Sequence, residues 1–165
     1  MKVDPRDSVP QFLAQYKGET YVRGWAELWD RGDCLNWAKG FPNPALEDTL
    51  VQHRATLGGP IATNIANGER YRQKALVPGC GRGVDVLLLA SFGYDAYGLE
   101  CGQSAVEACR KEEARSSANY PARNREIGRG AITFVQGDFF EDGWLEELGL
   151  QRNSFDLIYD HSVGQ

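Results

Sequence analysis

Residues 75–83 read Ala-Leu-Val-Pro-Gly-Cys-Gly-Arg-Gly, and Asp85 and the apolar run 86–90 follow almost directly. The pattern predicts a buried strand, a glycine turn and the start of a helix. The three glycines can adopt backbone angles that other residues avoid, and they let a ligand approach the main chain closely. The first N–H groups of the following helix attract polar groups. We therefore predict that a small polar ligand binds at this turn.

The spacing of the glycines narrows the class of ligand. A dinucleotide-binding fingerprint requires G-x-G-x-x-G, but Val84 or Val86 occupies the third glycine position in the two available registers. A P-loop requires Gly-Lys followed by Ser or Thr, whereas Arg82 is followed by Gly83. The spacing therefore disfavours a nicotinamide-dependent oxidoreductase and a nucleoside triphosphate site.

Acidic residues follow three later predicted strands. Glu100 ends the segment 97–100 and lies 17 residues after Gly83, near the offset of roughly 20 residues at which an acid meets ribose hydroxyls in dinucleotide folds. Asp138 follows the strand that begins at residue 132, and Asp160 ends the apolar run from residue 155. Strands that alternate with helices predict an α/β fold with a parallel sheet, which binds ligands at the carboxyl ends of its strands. The glycine turn and the three acids are thus expected to form one site.

The segments around the predicted strands give further expectations. Asn43 and Pro44 suit the cap and first position of a helix that runs to about residue 55. The Gly- and Asn-rich segment 57–68 predicts an exposed connection. Residues 104–107 match a capping box and predict a helix to about residue 116.

Composition sets the class of protein. The 165 residues are 42% hydrophobic and 25% charged, which predicts one compact domain. The net charge of −5 disfavours a nucleic-acid partner. The sequence has no apolar run of the roughly 20 residues that a membrane span needs and no signal-peptide core, which predicts no membrane partner and a cytoplasmic location. The four cysteines form no C-x-x-C pair and there are only two histidines, so no metal site is predicted.

Through these motifs, residues 24–160 resemble the thiopurine methyltransferase-like branch of the class I S-adenosylmethionine-dependent methyltransferases, in particular its thiol and halide methyltransferases. The matching elements are Trp25-x-x-x-Trp29-x-x-Gly32 with Trp37 and Pro44-Ala-Leu-Glu, the glycine turn, and Asp85-Val-Leu-Leu-Leu-Ala. Most class I members carry an acid two residues before the first glycine. Val77 stands there in this chain, as in this branch.

The resemblance implies a Rossmann-like doubly wound parallel sheet with four strands in the order 3-2-1-4. It also implies three segments: an N-terminal arm over residues 1–23, a tryptophan-containing lid over 24–58 and a cofactor-binding core over 74–160, the last two within an incomplete domain at 24–165.

The resemblance further implies S-adenosylmethionine as cofactor. Glu100 would bind the ribose, Asp138 the adenine amino group and Phe139 the adenine ring, while the tryptophans would contact the sulfonium by cation–π attraction. The implied cofactor-binding residues are Trp25, Trp29, Trp37, Pro78, Gly79, Cys80, Gly81, Gly83, Asp85, Glu100, Asp138, Phe139 and Asp160.

The implied reaction is methyl transfer to a small thiol or a halide-like nucleophile. An ionised nucleophile needs only positioning and dehydration from the protein. A neutral thiol needs a proton acceptor, and Asp160 or His161 is the implied catalytic residue.

The sequence leaves activity open. The resembled sheet has seven strands, whereas this chain ends soon after the fourth, so we expect a C-terminally truncated domain whose fourth strand has an uncovered edge. That edge predicts self-association or a partner. The alternative to an active enzyme is a catalytically impaired cofactor-binding or scaffold protein, or a truncated isoform that a partner completes.

Overall fold

The computed structural model describes residues 5–32 and 38–161. Its helices are α1 (Pro5–Leu13), α2 (Tyr21–Asp30), α3 (Pro44–Gln52), α4 (Arg54–Leu57), α5 (Val84–Phe92), α6 (Gln103–Ser116) and α7 (Gly143–Glu147). Single 3-10 turns cover Gly18–Thr20 and Ser117–Asn119. Its strands are β1 (Ile61–Thr63), β2 (Arg70–Arg72), β3 (Lys74–Pro78), β4 (Asp95–Glu100), β5 (Ile132–Gln136) and β6 (Leu157–Ile158).

The main sheet has four parallel strands in the order β5-β4-β3-β6. Ala75 of β3 lies opposite Ala96 of β4 on one side and Leu157 of β6 on the other, and Ala96 lies opposite Ile132 of β5. In order of appearance these strands are third, second, first and fourth. The predicted order 3-2-1-4 is therefore confirmed.

Helices cover both faces of this sheet, as in a doubly wound fold. Side chains of a strand alternate between the faces, so successive residues enter different cores. Ala75 and Val77 pack with α5 and α6, whereas Leu76 and Leu99 pack with Trp144 of α7. Burial on both faces explains why β3 is almost continuously apolar.

The two N-terminal helices pack on the start of α6. Val9 and Leu13 of α1 are buried with Leu28 and Trp29 of α2 against Ala105 of α6. Trp25 packs at the edge of this group, so Trp25, Leu28 and Trp29, at i, i+3 and i+4, lie on one face of α2. The segment before residue 24 therefore contributes a packed helix, and the division of the chain at residue 24 stays a prediction.

Residues 63–68 are exposed as predicted for this connection, but Gly59 and Pro60 are buried and the segment contains a strand that was not predicted. Ile61–Thr63 and Arg70–Arg72 form an antiparallel hairpin. The Arg72 guanidinium fixes the hairpin to the core, because it donates to the backbone oxygens of Gly93 and Ile127. These partners lie 21 and 55 residues away along the chain, which is why local sequence did not indicate the strands.

The structure confirms some of the predicted helix ends and corrects one. The Asn43 side chain accepts a 3.0 Å hydrogen bond from the Ala45 N–H and caps α3 as predicted, and α6 ends at Ser116 as predicted. The capping box at residues 104–107 is wrong: Gly102 caps α6, and the Ser104 hydroxyl donates instead to Asp30 of α2.

Over the described residues, none of the helices combines the length and the apolar character that crossing a membrane requires.

Candidate functional site

The glycine turn between β3 and α5 requires its glycines. Gly79, Gly81 and Gly83 have φ values of 57°, 60° and 79°, in the left-handed region that side chains disfavour. Gly83 caps α5, and a Cβ at this position would lie 2.6 Å from the Phe134 ring. Gly79 is thus exposed at the turn, whereas Gly83 packs against β5.

A buried carboxylate faces this turn. Glu100, at the end of β4, is 6% exposed. Its Oε1 accepts a 2.7 Å hydrogen bond from the Gly81 N–H, and its Oε2 accepts a 3.3 Å bond from the Cys101 N–H. Burial raises the pKa of Glu100 to about 7, because these hydrogen bonds only partly offset the loss of solvent. The carboxyl group can therefore change charge near neutral pH.

A cavity of about 300 Å³ opens over the turn, and most of the predicted site residues line it. It lies at the carboxyl ends of β3, β4 and β5, where the topology places ligands. The predicted residues that line it are Trp25, Trp29, Pro78, Gly79, Cys80, Gly81, Asp85, Glu100, Asp138, Phe139 and His161. Residues from α2, the turn and three strand ends are thus brought to one site.

Three predicted residues stand apart from this lining. Gly83 packs against Phe134 and does not line the cavity. Asp160 is exposed at the end of β6 and is also outside the lining, so its role stays a prediction. Trp37 lies outside the described residues.

Aromatic side chains form two walls of the cavity. Trp25 and Trp29 come from α2, where the helical spacing sets them on one face. On the opposite wall, Phe139 and Phe140 meet edge to face with ring centroids 5.5 Å apart. Asp138 accepts a 2.9 Å hydrogen bond from the Phe140 N–H and so fixes the loop that carries these rings.

The polar end of the cavity joins α5 to the segment before α3. Asp85 accepts a 2.7 Å hydrogen bond from the Asn43 N–H. Burial raises the pKa of Asp85, although that bond and the nearby charges of His161 and Lys39 act in the opposite direction. The Asp85 carboxylate therefore holds the entry to α3 beside the glycine turn.

Sequence reasoning missed several residues of the lining, namely Tyr21, Val22, Lys39, Phe41, Arg82, Phe140 and Tyr159. Tyr159 is the clearest case, because it directly precedes the predicted Asp160. Its hydroxyl is buried and makes no hydrogen bond to the described residues. The alternation of side chains at a strand end would have indicated that only one of the two neighbours faces the cavity.

The chain matches one protein family over most of its length. The family model described as thiopurine S-methyltransferase matches residues 23–163. This range includes most of α2, the glycine turn and the four strands of the main sheet.

Curated relatives agree with this match. A probable thiol methyltransferase 2 of Arabidopsis thaliana is 30% identical over 140 residues, which are 84% of this chain and 47% of the relative. Thiocyanate methyltransferase 1 of Brassica oleracea is 30% identical over 93% of this chain and 54% of its own length. A thiopurine S-methyltransferase of Pseudomonas fluorescens is 32% identical over 71% of this chain and 44% of its own.

The chain spans about half the length of the curated relatives it matches. The family model nevertheless covers the glycine turn, the strand ends and the tryptophan helix that form the cavity. The chain belongs to the thiopurine S-methyltransferase family.

Proposed function

We propose that this chain binds S-adenosylmethionine in the cavity over the glycine turn and transfers its methyl group to a small thiol or a halide-like anion. The observation that carries the proposal is the buried Glu100 carboxylate, which meets the Gly81 N–H at the end of β4. An acid at this strand end is suited to bind ribose hydroxyls. The family is one of S-adenosylmethionine-dependent methyltransferases, which supports the same cofactor.

The residues of the cavity fit this cofactor by their chemistry. Glu100 offers hydrogen-bond acceptors, and the turn at residues 79–81 leaves room for a ligand near the main chain. Asp138 would accept from the adenine amino group and Phe139 would cover the ring. Trp25 and Trp29 present aromatic surface to a sulfonium. Trp37 and Asp160 remain part of the proposed set from the sequence alone.

When bound, S-adenosylmethionine supplies an activated methyl group on a positively charged sulfur. The protein then needs only to position the methyl acceptor and to remove water from it. Trp25, Trp29, Phe139 and Phe140 give the cavity apolar walls. Apolar surroundings strengthen the attraction between an anionic acceptor and the sulfonium charge.

A neutral thiol must also lose its proton. His161 lines the cavity close to Asp85, and we assign it as the proton acceptor for such substrates. Asp160, one residue earlier, is the second candidate from the sequence.

Two measurements test the proposed function. Calorimetric titration of the purified chain with S-adenosylhomocysteine should show binding with one site. Incubation with S-adenosylmethionine and a panel of hydrosulfide, aromatic thiols, thiocyanate and iodide should release S-adenosylhomocysteine. A folded chain that does not bind S-adenosylhomocysteine would reject the cofactor assignment, and binding without turnover on the panel would reject the reaction.

Self-association through β6 is a further part of the proposal. Ile158 of β6 is 53% exposed, and among the described residues only β3 pairs with this strand. Phe140 is 73% exposed, and it lines a shallow groove together with Ile158. Apolar strand edges of this kind pair readily with a second copy. Light scattering should give a dimer mass for the parent chain and a monomer mass for Ile158→Lys, and a monomeric parent chain would reject the dimer.

We also propose a cytoplasmic location. The sulfurs of Cys80 and Cys109 lie 3.7 Å apart and form no disulfide, as expected for a reducing compartment. A fluorescent fusion of the protein in its native host would test the location.

A further inference from the structure

Glu112 is a buried carboxylate outside the cavity. It lies on α6, and its side chain is only 2% exposed. It accepts hydrogen bonds from Arg82 at 2.7 Å, from Arg115 at 2.8 and 2.9 Å, and from the Ser116 hydroxyl. A buried glutamate with this many donors is a built site, since leaving a buried charge without partners is costly.

One of these donors belongs to the glycine turn. Arg82 stands between Gly81 and Gly83, and its side chain is 25% exposed. Arg82 also lines the cavity. A Cβ placed on Gly40 would lie 3.8 Å from the Arg82 Nη1, so the guanidinium also meets the segment before α3. The ion pair thus connects α6 with the cavity.

A second contact ties the same turn to α6. The Cys109 thiol donates a 3.0 Å hydrogen bond to the Gly81 backbone oxygen. Cys109 and Glu112 are three residues apart, so they share one face of the helix. The Gly81 N–H is held by Glu100 on the other side. The peptide groups of residue 81 are therefore fixed from both β4 and α6.

The charge of Glu112 is stabilised in place. Burial opposes its ionisation, but the hydrogen bonds from Ser116 and Arg115 and the charge of Arg82 outweigh that effect and lower the pKa of Glu112. The ion pair is consequently formed at neutral pH.

We propose that Glu112 is a positioning residue for the cofactor: from α6 it holds Arg82, and through Arg82 it holds the glycine turn in the conformation that the cofactor meets. This inference rests on the proposed function of the cavity. Glu112 itself does not line the cavity, so it acts on binding through the turn. Glycines at alternate positions of the turn have little intrinsic preference for one backbone conformation, so contacts from α6 can determine the conformation of the turn.

Glu112→Gln is the decisive variant, because it keeps the shape of the side chain and removes the charge. We expect it to weaken S-adenosylhomocysteine binding about tenfold in calorimetry, as for a lost charge-assisted hydrogen bond. Arg115→Ala is the matched control, since Arg115 bonds the same carboxylate, is 65% exposed and does not touch the turn. It should change the affinity by less than about twofold.

A readout without cofactor separates positioning from binding. Amide hydrogen exchange should become faster at residues 79–83 in Glu112→Gln and remain unchanged at residues 95–100 of β4. In a double-mutant cycle, adding Glu112→Gln to Arg82→Met should cause little further loss of affinity, because the pair is already broken. Unchanged exchange at the turn, or affinity within twofold of the parent chain, would overturn the inference.

Two controls keep the outcomes distinct. If Glu112→Gln does not fold by circular dichroism, Arg82→Met carries the test, since its partly exposed position tolerates the change and it should loosen the turn in the same way. A parent chain that does not bind S-adenosylhomocysteine would reject the proposed function, whereas normal binding with an unaffected turn in the variants would reject the role of Glu112 alone.

Discussion

The Glu100 carboxylate and the Gly81 N–H are joined by a 2.7 Å hydrogen bond between the end of β4 and the glycine turn. The bond places a titratable group inside the cavity that we assign to the cofactor. Because the pKa of Glu100 is about 7, its charge at physiological pH is sensitive to small changes in conditions.

Cofactor affinity should depend on pH through Glu100. The ionised carboxylate accepts hydrogen bonds from ribose hydroxyls on both oxygens, whereas the protonated form loses acceptor capacity. With a pKa of about 7, affinity for S-adenosylhomocysteine should be about tenfold weaker at a pH near 6 than at a pH near 8 if only the ionised form binds. Calorimetry across this range measures the effect. Glu100→Gln should bind more weakly at high pH and show a flat profile, and a flat profile in the parent chain would contradict the assignment.

The Glu100 carboxyl should also make the stability of the fold depend on pH. A carboxyl pKa raised from 4.5 to about 7 means that the folded state binds more protons than the unfolded state between these values. Stability therefore falls as the pH rises through this window, by about 3 kcal/mol, since one pKa unit is worth about 1.4 kcal/mol. Urea unfolding at several pH values should show this slope in the parent chain and its loss in Glu100→Gln. Glu107→Gln, an exposed glutamate on α6, is the control and should keep the slope.

The hydrogen bond between Asp85 and Asn43 should matter for the segment that enters α3. Asp85→Ala leaves the Asn43 N–H without its 2.7 Å acceptor, which we expect to destabilise this segment by about 1–3 kcal/mol. Faster amide exchange at residues 43–46 and weaker S-adenosylhomocysteine binding would report it. Asp85→Asn retains an acceptor oxygen and should lose less. Equal effects of the two variants would show that the charge of Asp85, and not the hydrogen bond, stabilises this segment.

Gly83 should tolerate no side chain. Its φ of 79° is strained for alanine, and the added Cβ would lie 2.6 Å from Phe134. Gly83→Ala should therefore lower the free energy of unfolding by about 2 kcal/mol or more in urea titrations. Gly143→Ala is the control, because a Cβ at Gly143 meets no atom within 4 Å. A Gly83→Ala protein as stable as the control would contradict the packing of the turn against β5.

His161 can be tested with two kinds of acceptor. If it accepts the proton of a neutral thiol, His161→Gln should lower kcat for a thiol of high pKa about 100-fold, the usual scale of general-base catalysis. Turnover with iodide, which carries no proton, should change little. Release of S-adenosylhomocysteine measures both rates. Equal losses for the two acceptors would assign His161 to binding instead.

Local sequence predicted the elements on which the cavity depends. The run of residues 75–83 indicated β3 and its turn, because an apolar run is followed directly by glycines, which can adopt the left-handed angles of a turn. The order of the strands followed from the family resemblance, which the parallel pairing confirms. Trp25 and Trp29 lie on one face of α2 because they are four residues apart. The turn and the helix face depend on neighbours within a few residues.

Other features depend on partners that are distant along the chain. Glu112 reads as an ordinary charged residue of a solvated helix, and only the packing of α6 brings it to Arg82, 30 residues earlier. The hairpin at residues 61–72 needed the contacts of Arg72 with Gly93 and Ile127. Tyr159 faces the cavity while its neighbour Asp160 does not line it. Nothing in the local sequence decides such contacts.

The sequence by itself determined the glycine turn, the acids at the strand ends and the family, because these are set by backbone sterics and by fixed spacing. The tertiary structure decided which acids are buried and what they bind. Glu100 has a raised pKa because folding removes it from water, and Glu112 keeps its charge because folding supplies Arg82 and Arg115. The turn of residues 79–83 is thus written in the sequence, whereas its fixed shape depends on the two glutamates that hold it from β4 and α6.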